Sequence, residues 1–216
     1  MPLFSSLPAE EARSLDTRCV WRTVKTGEWV IDDHSEGTDV FFVLHGHARV
    51  VLGTLGREII LRDIRDGEYF GELSAIDSKP RSAGIVAITD SVVARMPAPV
   101  FLETIHRFPR VCDKVLATLV AAIRVLNDRT NEQTNFDIHE RICAELLRLS
   151  RAAPGGRHVV SPPPTHAELA ARIGTHREAV TRALNSLERE GAIARERSAI
   201  VLTNAQRLRE IVAAAG

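Results

Sequence analysis

Short apolar stretches separated by glycines occupy the first half of the chain. Glycines recur every 9 to 11 residues, at Gly27, Gly37, Gly46, Gly56 and Gly67. β-Branched and aromatic residues form five runs between and after them, at 29–31, 40–44, 49–52, 58–61 and 85–88. Short strands at this spacing with glycine turns are typical of a compact all-β sandwich or barrel. The pattern therefore predicts a β-roll over about residues 20–97.

The apolar period changes to that of a helix after Pro109. Apolar residues then follow spacings of 4, 3, 4 and 3, at Cys112, Leu116, Leu119, Ile123 and Leu126. This is the a/d seam of a coiled coil, and the opposite side of the helix is polar. Because little apolar surface is left for an internal partner, we predict a dimerisation helix whose interface is Leu116, Leu119, Ile123 and Leu126. The alternative is a single helix packed on its own β-domain.

Capping signals mark two short helices within residues 164–193. Thr165 with Glu168 forms a capping box before the first helix, and Thr175 with Glu178 repeats that spacing before the second. Gly174 ends the first helix. The apolar residues of the second fall on one side, at Ala179, Val180, Ala183, Leu184 and Leu187. Two short helices joined by a tight glycine turn are the helix-turn-helix unit, whose second helix enters the major groove of DNA.

The second of these helices carries base-reading chemistry at its N-terminal end. Arg177 and Arg182 can each present a bidentate fork to guanine, and Glu178 can accept a hydrogen bond from cytosine. The alternative is a helical hairpin in which Glu178 and Arg182 form an i,i+4 pair at the surface. A β-hairpin wing with basic residues toward phosphate is predicted at 192–195 and 199–202. The predicted DNA-binding residues are Thr165, Thr175, His176, Arg177, Glu178, Thr181 and Arg182.

Charge differs between the two ends of the chain. Residues 1–136 hold 16 Lys and Arg against 19 Asp and Glu, whereas residues 137–216 hold 12 against 9. A helical stretch at 138–151 precedes a loop rich in Pro and Gly at 152–164. We predict an α+β chain with an antiparallel β-roll domain at 1–108, a dimerisation helix at 109–136 and a winged helix-turn-helix domain at 137–216. The basic excess of the last part permits contact with nucleic acid.

A candidate binding motif lies within the β-roll at residues 66–87, DGEYFGELSAIDSKPRSAGIVA. Gly71 permits close approach of a backbone, and residues 72–76 can form a short helix whose N–H groups would meet an anion. Arg81 can return to the same site and pair with a phosphate, which leaves Glu72 for a sugar hydroxyl. By its chemistry the motif is either a phosphate and ribose site or a plain β-bulge with a surface Glu–Arg pair.

The runs FGEL and PRSA in this motif resemble the phosphate-binding cassette of cyclic nucleotide-binding domains. With THREAVTR and LEREG in the C-terminal part, the whole chain resembles the CRP/FNR family of transcription regulators. The resemblance implies that Gly71, Leu73 and Ser82 hold a cyclic phosphate, the first two through their backbones. It further implies that Arg81 neutralises the phosphate and that Glu72 bonds the ribose 2′-OH.

The same resemblance implies partners for the rest of the chain. Arg177, Glu178 and Arg182 match the base-reading triplet of the family, which implies double-stranded DNA with a palindromic site of TGTGA-like half-sites. A homodimer along residues 110–133 is implied, as is contact with RNA polymerase through exposed loops, of which residues 152–161 are one candidate. We expect a hinge near residues 135–138, where the apolar seam ends.

Two positions depart from the pattern of the cAMP-binding members. That pattern has two adjacent hydroxyl residues on the long helix facing the base, and Leu126 and Asn127 stand there in this chain. Leu126 cannot donate or accept a hydrogen bond, whereas Asn127 can do both. Asn127 or Thr130 is expected to read adenine, while Ser82 can equally contact a guanine amino group. We expect cAMP as the effector, with cGMP as the alternative, and a constitutive or otherwise controlled DNA-binding protein as the competing function.

Cysteine and histidine usage disfavours a metal or haem sensor. The three cysteines are scattered, at Cys19, Cys112 and Cys143. They fit reduced thiols better than disulfides or an iron–sulfur cluster. Residues 66–87 contain no Cys or His to ligate haem, and His34, His45 and His47 lack the clustered Cys or carboxylates of a metal site. We therefore expect neither metal nor haem.

Catalysis and membrane insertion are also disfavoured. No nucleophile, base and orienting group occur at a recognisable spacing, so we do not expect an enzyme. No apolar run approaches the roughly 20 residues of a spanning helix, and the first residues lack the apolar segment of a secretory signal. We expect a cytoplasmic protein without a membrane partner.

Overall fold

The computed structural model of the chain describes residues 1–32, 35–54 and 57–215. Gly56 and His34, which the sequence singles out as a turn glycine and a candidate metal ligand, lie outside these residues. The chain forms two compact units, Met1–Ala122 and Ile123–Gly216. In the described residues every helix falls short of the length or the apolarity needed to cross a bilayer.

The first unit is the predicted antiparallel β-roll. A 3-10 turn at Pro2–Phe4 and helix α1 at Ala9–Thr17 precede its strands. The strands are β1 Val20–Val24, β2 Trp29–Ile31, β3 Val40–His45, β4 Ala48–Thr54, β5 Arg57–Ile64, β6 Tyr69–Phe70, β7 Gly84–Ala87 and β8 Ser91–Met96. Helix α2, Glu72–Asp77, joins β6 to β7, and helix α3, Ala98–Arg107, follows β8. The strands pair antiparallel in two sheets, ordered β1-β8-β3-β6 and β2-β7-β4-β5.

Helix α4 spans Pro109–Asn135, and its first turns pack on the β-roll. Val111 and Val115 are buried in one cluster with the outer face of β3 and with α3, and Leu119 is partly buried there. The expectation that this helix leaves little apolar surface for an internal partner is therefore wrong, because its apolar band is wide enough for two contacts. Leu116 and Ile123, on the other side of the band, are 54% and 56% exposed.

Strand β3 is buried on both faces, because one face packs against the second sheet and the other against α3 and α4. Successive side chains of a strand point to opposite sides. Phe41 and Val43 enter the core between the two sheets, whereas Val40 and Phe42 join the cluster under α3 and α4. This strand begins directly after Asp39, whose carbonyl borders the candidate ligand site.

The second unit is a winged helix-turn-helix, as predicted. After the end of α4 it contains α5 Ile138–Leu149, β9 Arg151–Ala153, a 3-10 turn Pro154–Gly156, β10 Arg157–Val160, α6 His166–Ile173, α7 Arg177–Arg189, β11 Ala194–Arg195, β12 Ile200–Leu202 and α8 Ala205–Ala215. The strands form one antiparallel sheet ordered β11-β12-β10-β9. Its helices share a core that includes Ile142, Leu146, Leu169, Leu184 and Leu208.

The segment predicted as a loop at 152–164 holds most of a hairpin instead. Strands β9 and β10 pair through Arg157 with Ala153 and Val159 with Arg151. Gly155, at φ 77°, makes the turn between them. The prolines and glycines of this segment thus lie in the turn and in the stretch after β10. Strand β10 contains too few apolar residues to be predicted as a strand from the sequence.

Candidate ligand and nucleic-acid sites

The loop between β6 and α2 depends on a glycine in the left-handed backbone region. Gly71 has φ 85° and ψ 4°. A Cβ atom there would lie 2.7 Å from Nη1 of Arg81 and 2.8 Å from the carbonyl oxygen of Asp39. Both the backbone conformation and the lack of space therefore require glycine.

A buried arginine lies at the centre of this site. Nη1 of Arg81 donates to the carbonyl of Gly71 at 3.1 Å, and Nη2 donates to that of Asp39 at 2.8 Å. Nε is buried and has no hydrogen-bond partner among the residues that the structure describes. The guanidinium lies 5.9 Å from the ring centroid of Phe41. Burial lowers the pKa of Arg81, while the charges of Asp39 and Glu72 oppose that shift. A surface Glu–Arg pair does not describe this residue, because Arg81 is 9% exposed and bonds directly to neutral carbonyls.

Glu72, the first residue of α2, lies half-buried beside this arginine. Burial raises the pKa of its carboxyl group, against the opposing effects of its own backbone N–H and of Arg62 and Arg81. A carboxylate that has lost water in this way gains from a hydroxyl donor. The side chains of Leu73 and Ser82 are exposed. Gly71, Glu72 and Arg81 are thus brought together, as the sequence predicts.

The residues predicted to face a base lie on α4 in the second unit. Leu126 and Asn127 are both exposed. Thr130 is one turn further along, and its hydroxyl donates to the carbonyl of Leu126 at 2.9 Å. Their contact with a nucleotide stays a prediction.

His45 and His47 do not lie on one face of a strand. His45 ends β3 and His47 lies in the turn before β4, so the two are not related by the strand period. Nδ1 of His45 is 3.8 Å from a carboxylate oxygen of Asp66. Among residues 1–32, 35–54 and 57–215, no three His, Cys, Asp or Glu side chains are grouped closely enough to hold a metal ion. Cys143 is buried, which raises its pKa to about 12.

The capping box of α6 is present as predicted. Oγ1 of Thr165 accepts from the backbone N–H of Glu168 at 3.1 Å, and the carboxylate of Glu168 accepts from the N–H of Thr165 at 2.7 Å. Gly174 closes α6 in the left-handed conformation, with φ 67°. These are the two local signals that define the first helix of the motif.

The capping box predicted for α7 is wrong. The N-cap of α7 is His176, without a side-chain capping bond, so Glu178 stands at the second helical position instead of the third. The N–H of Thr175 bonds the carbonyl of Ala170 at 3.0 Å. Thr175 therefore still belongs to the turn after α6, and one more extended residue is needed before α7 begins.

The N-terminal end of α7 presents the predicted base-reading residues. Arg177, Glu178 and Arg182 are exposed, and the predicted apolar stripe of this helix faces the core. Within the part of the chain that the structure describes, these three side chains form no ion pair or hydrogen bond, so the i,i+4 pair between Glu178 and Arg182 is not made. Their charged groups face solvent.

Two contacts that the sequence does not predict hold α6, α7 and the wing together at this surface. Nδ1 of His166 lies 2.8 Å from Oγ1 of Thr181, which ties the start of α6 to α7. Burial, followed by the charges of Arg195 and Arg177, lowers the pKa of His166. Arg195 of the wing bonds Glu188 of α7 at 3.0 Å through Nε, so it braces the wing and does not stand free for phosphate. Long-range contacts of this kind have no local pattern.

Two family matches cover most of the chain. The cyclic nucleotide-binding domain family matches residues 21–108, and the Crp-like helix-turn-helix domain family matches residues 140–211. The Cyclic AMP receptor protein of Thermus thermophilus is 29% identical over 211 residues, which cover 97% of this chain and 96% of that protein. The similarity to this protein therefore extends over nearly the whole length of both chains.

Solved structures share the fold at lower identity. A CooA mutant from Carboxydothermus hydrogenoformans has a TM-score of 0.82 at 20% identity and covers 98% of this chain and 94% of its own. The c-di-GMP responsive global regulator CLP of Xanthomonas campestris has a TM-score of 0.76 at 19% identity, with coverage of 90% and 99%. With a β-roll bearing the phosphate motif and a winged helix-turn-helix, the chain belongs to the CRP/FNR family of DNA-binding transcription regulators.

Proposed function

We propose that the protein is a homodimeric transcription regulator whose binding to a palindromic DNA site is controlled by cAMP held in the β-roll. The observation that carries the proposal is Arg81, a buried cation with two carbonyl partners. Its Nε–H has no partner within the described ranges. A buried charge is unfavourable unless it is paired. An anion that displaces the carbonyls would pair it, and the guanidinium fork suits a phosphate.

The remaining residues of the motif would complete the seat of the nucleotide. The backbones of Gly71 and Leu73 and the hydroxyl of Ser82 would hold the phosphate together with Arg81. Glu72 would accept from the ribose 2′-OH, and this bond would compensate for the water that its carboxylate loses on burial. The phosphate would thus contact Arg81 and the ribose would contact Glu72, the two charged groups whose burial is unfavourable in the free protein.

The base would face α4. We favour cAMP because a relative that covers 97% of this chain is a Cyclic AMP receptor protein. The fold does not choose the effector, since CLP shares it and is c-di-GMP responsive. Asn127 or Thr130 would read adenine, with Leu126 packing beside them, whereas Ser82 would contact the amino group of guanine if cGMP were the effector.

The dimer would form along the exposed apolar side of α4. Leu116, Val120 and Ile123 are exposed on one face, and Leu126 and the partly buried Leu119 flank it. Apolar residues at this spacing pack as knobs into holes of a second helix. The predicted dimerisation helix, 109–136, would then pack on the β-roll with one side and on the same helix of the second subunit with the other.

The two recognition helices of the dimer would enter successive major grooves, about 34 Å apart. Arg177, Glu178 and Arg182 would read TGTGA-like half-sites, and Thr165, Thr175, His176 and Thr181 would complete the interface. The β9–β10 hairpin, at 152–161, is a candidate contact for RNA polymerase. Because the protein must reach DNA, we propose a cytoplasmic location.

A fluorescence-anisotropy titration of a palindromic duplex with TGTGA half-sites tests the whole proposal. It is run at one fixed salt concentration, because phosphate contacts make affinity depend on salt. We expect tight binding only with saturating cAMP. A gain with cGMP alone would change the effector, and equal binding with cAMP, with cGMP and without nucleotide would contradict ligand control.

The variant Arg81→Lys tests the phosphate seat separately. Lysine keeps the charge but loses the fork, so we expect cAMP affinity in isothermal titration to fall about tenfold or more. Arg22→Lys is the matched control, because Arg22 lies at the surface and pairs with Glu28. An Arg81→Lys protein that binds cAMP as tightly as the control would remove the phosphate assignment.

A further inference from the structure

The C-terminal end of α6 is capped by side chains of α4. The last carbonyls of a helix have no partner within it. Nη1 of Arg129 donates to the carbonyl of Arg172 at 3.3 Å, and Nε2 of Gln133 donates to that of Ile173 at 2.9 Å. A cation at a helix C-terminus is also favoured by the helix dipole. Two residues one turn apart on α4 thus hold the last turn of α6.

The amide of Gln133 is oriented at both of its ends. Its oxygen accepts from Nη1 of Arg141 at 2.9 Å, which leaves Nε2 to face α6. Nη2 of the same arginine donates to the carbonyl of Gln133 at 2.9 Å, and Nε donates to that of Phe136 at 3.0 Å. A Cβ atom on Gly174 would lie 3.2 Å from Nε2 of Gln133. The amide therefore packs directly on the turn between α6 and α7.

A buried carboxylate fixes the position of Arg129. Glu145 of α5 is 1% exposed, and its carboxylate oxygens lie 3.4 Å from Nη2 of Arg129 and 3.6 Å from Nη1 of Arg172. Arg148 pairs with the same carboxylate and with Glu132 of α4. Burial lowers the pKa of Arg129, and Glu145 is the main opposing charge. Helices α4, α5 and α6 each contribute charged groups to this buried cluster.

We propose that Arg129 and Gln133 are positioning residues that set the place of the recognition helix α7 by clamping the end of α6. The proposal rests on the proposed function, because that function assigns DNA reading to α7. The bonds of Arg141 and the capping box of Asp137 with Glu140 also bridge the junction at 135–138, where the sequence predicts a hinge. Residues 123–135 and the helix-turn-helix accordingly act as one body.

The variant Gln133→Leu tests the clamp without removing a buried group, since the side chain of Gln133 is exposed. Leucine is also a branched side chain, one bond shorter, and it makes neither amide bond. We expect cAMP affinity to stay unchanged and the thermal midpoint to fall slightly, because the carbonyl of Ile173 loses its donor. Affinity for the palindromic duplex should fall about tenfold, because the end of α6 is then held less firmly. Hydrogen exchange at residues 174–176, followed by mass spectrometry, should become faster to a similar degree.

The control is Gln206→Leu, which changes an exposed glutamine of α8 in the same unit. Unchanged exchange and unchanged DNA affinity in Gln133→Leu would overturn the clamp, as would equal losses in both variants. Because exchange is measured without DNA or nucleotide, it decides the clamp even if wild-type protein fails to bind the duplex, which would refute the proposed function alone. Arg129→Lys keeps the charge beside Glu145 but not the fork, and the same readouts should move in the same direction.

Discussion

At Gly71 the absence of a side chain allows Arg81 to reach its two carbonyl partners. An alanine there would bring a Cβ atom to 2.7 Å from Nη1 of Arg81. Gly27 is a matched control in the same unit, because its φ of 83° is similar and nothing lies within 4 Å of the Cβ position. We expect Gly27→Ala to lower the free energy of unfolding by about 1 kcal/mol, the strain of a left-handed alanine. Gly71→Ala should cost more and should also weaken cAMP binding, as chemical denaturation and calorimetry would show; equal effects would contradict the close approach.

The charge of Glu72 is unfavourable to the free protein at neutral pH. Its folded-state pKa is raised by burial, so the free energy of unfolding falls as pH rises from the ordinary carboxyl pKa to the raised value. We expect Glu72→Gln to stabilise the protein at pH 7, and the gain to disappear below about pH 4, where both states hold the proton.

Asp90→Asn should show the opposite sign. Lys25 and Thr26 lower the pKa of Asp90 to about 2. The stabilisation from its charge is therefore present above the ordinary carboxyl pKa and is lost as pH falls toward 2. Denaturation at several pH values measures both variants, and a destabilised Glu72→Gln at pH 7 would contradict the burial argument.

At the scale of elements, the two helix starts of the DNA-binding motif differ although their sequences look alike. Thr165 caps α6 through its side chain, whereas Thr175 precedes the N-cap of α7 and makes no capping bond. We expect Thr165→Ala to lower the free energy of unfolding by about 1 kcal/mol and Thr175→Ala by less than about 0.5 kcal/mol. Urea denaturation of the two variants measures the difference. Equal losses would show that the second capping box forms after all.

Elements with local signals could be predicted from the sequence. Glycine spacing indicates the β-roll, and Gly174 with the Thr165 capping box indicates the first helix of the motif. Elements that depend on distant partners could not be predicted. The inner face of α4 at Val115 is as apolar as its outer face, and the two differ only because the inner face packs on the β-roll. The β9–β10 hairpin lies hidden among prolines and glycines.

The candidate sites follow the same rule. Gly71, Glu72 and Arg81 stand within one motif, so their meeting could be predicted. Gln133 lies in a polar run that indicates only the end of the apolar seam, yet its partner is the carbonyl of Ile173, forty residues later. A hydrogen bond to a backbone carbonyl places no requirement on the side chain of the accepting residue. No sequence pattern therefore predicts the bond between Gln133 and Ile173.

At the scale of the whole molecule, the proposed dimer and the fold make different demands on α4. Val111 and Val115 stabilise the β-roll, whereas Leu116 and Ile123 contribute little to it because more than half of each is exposed. Polar residues at the exposed positions should therefore separate the copies without unfolding them. A polar residue at Leu119 would separate the copies and also destabilise the β-roll, since this side chain is partly buried against it.

We expect the double variant Leu116→Gln, Ile123→Gln to be a folded monomer in sedimentation velocity, with a lower thermal midpoint because dimerisation no longer stabilises the folded chain. Val125→Gln is the control, because Val125 is also apolar and 43% exposed but lies on the opposite side of the helix, about 180° from Leu116 at 100° per residue. Each monomer would bind one half-site, so affinity for the palindrome should fall toward that for a single half-site. A dimer that survives the double change, or dissociates equally in the control, would place the interface elsewhere than on this face of α4.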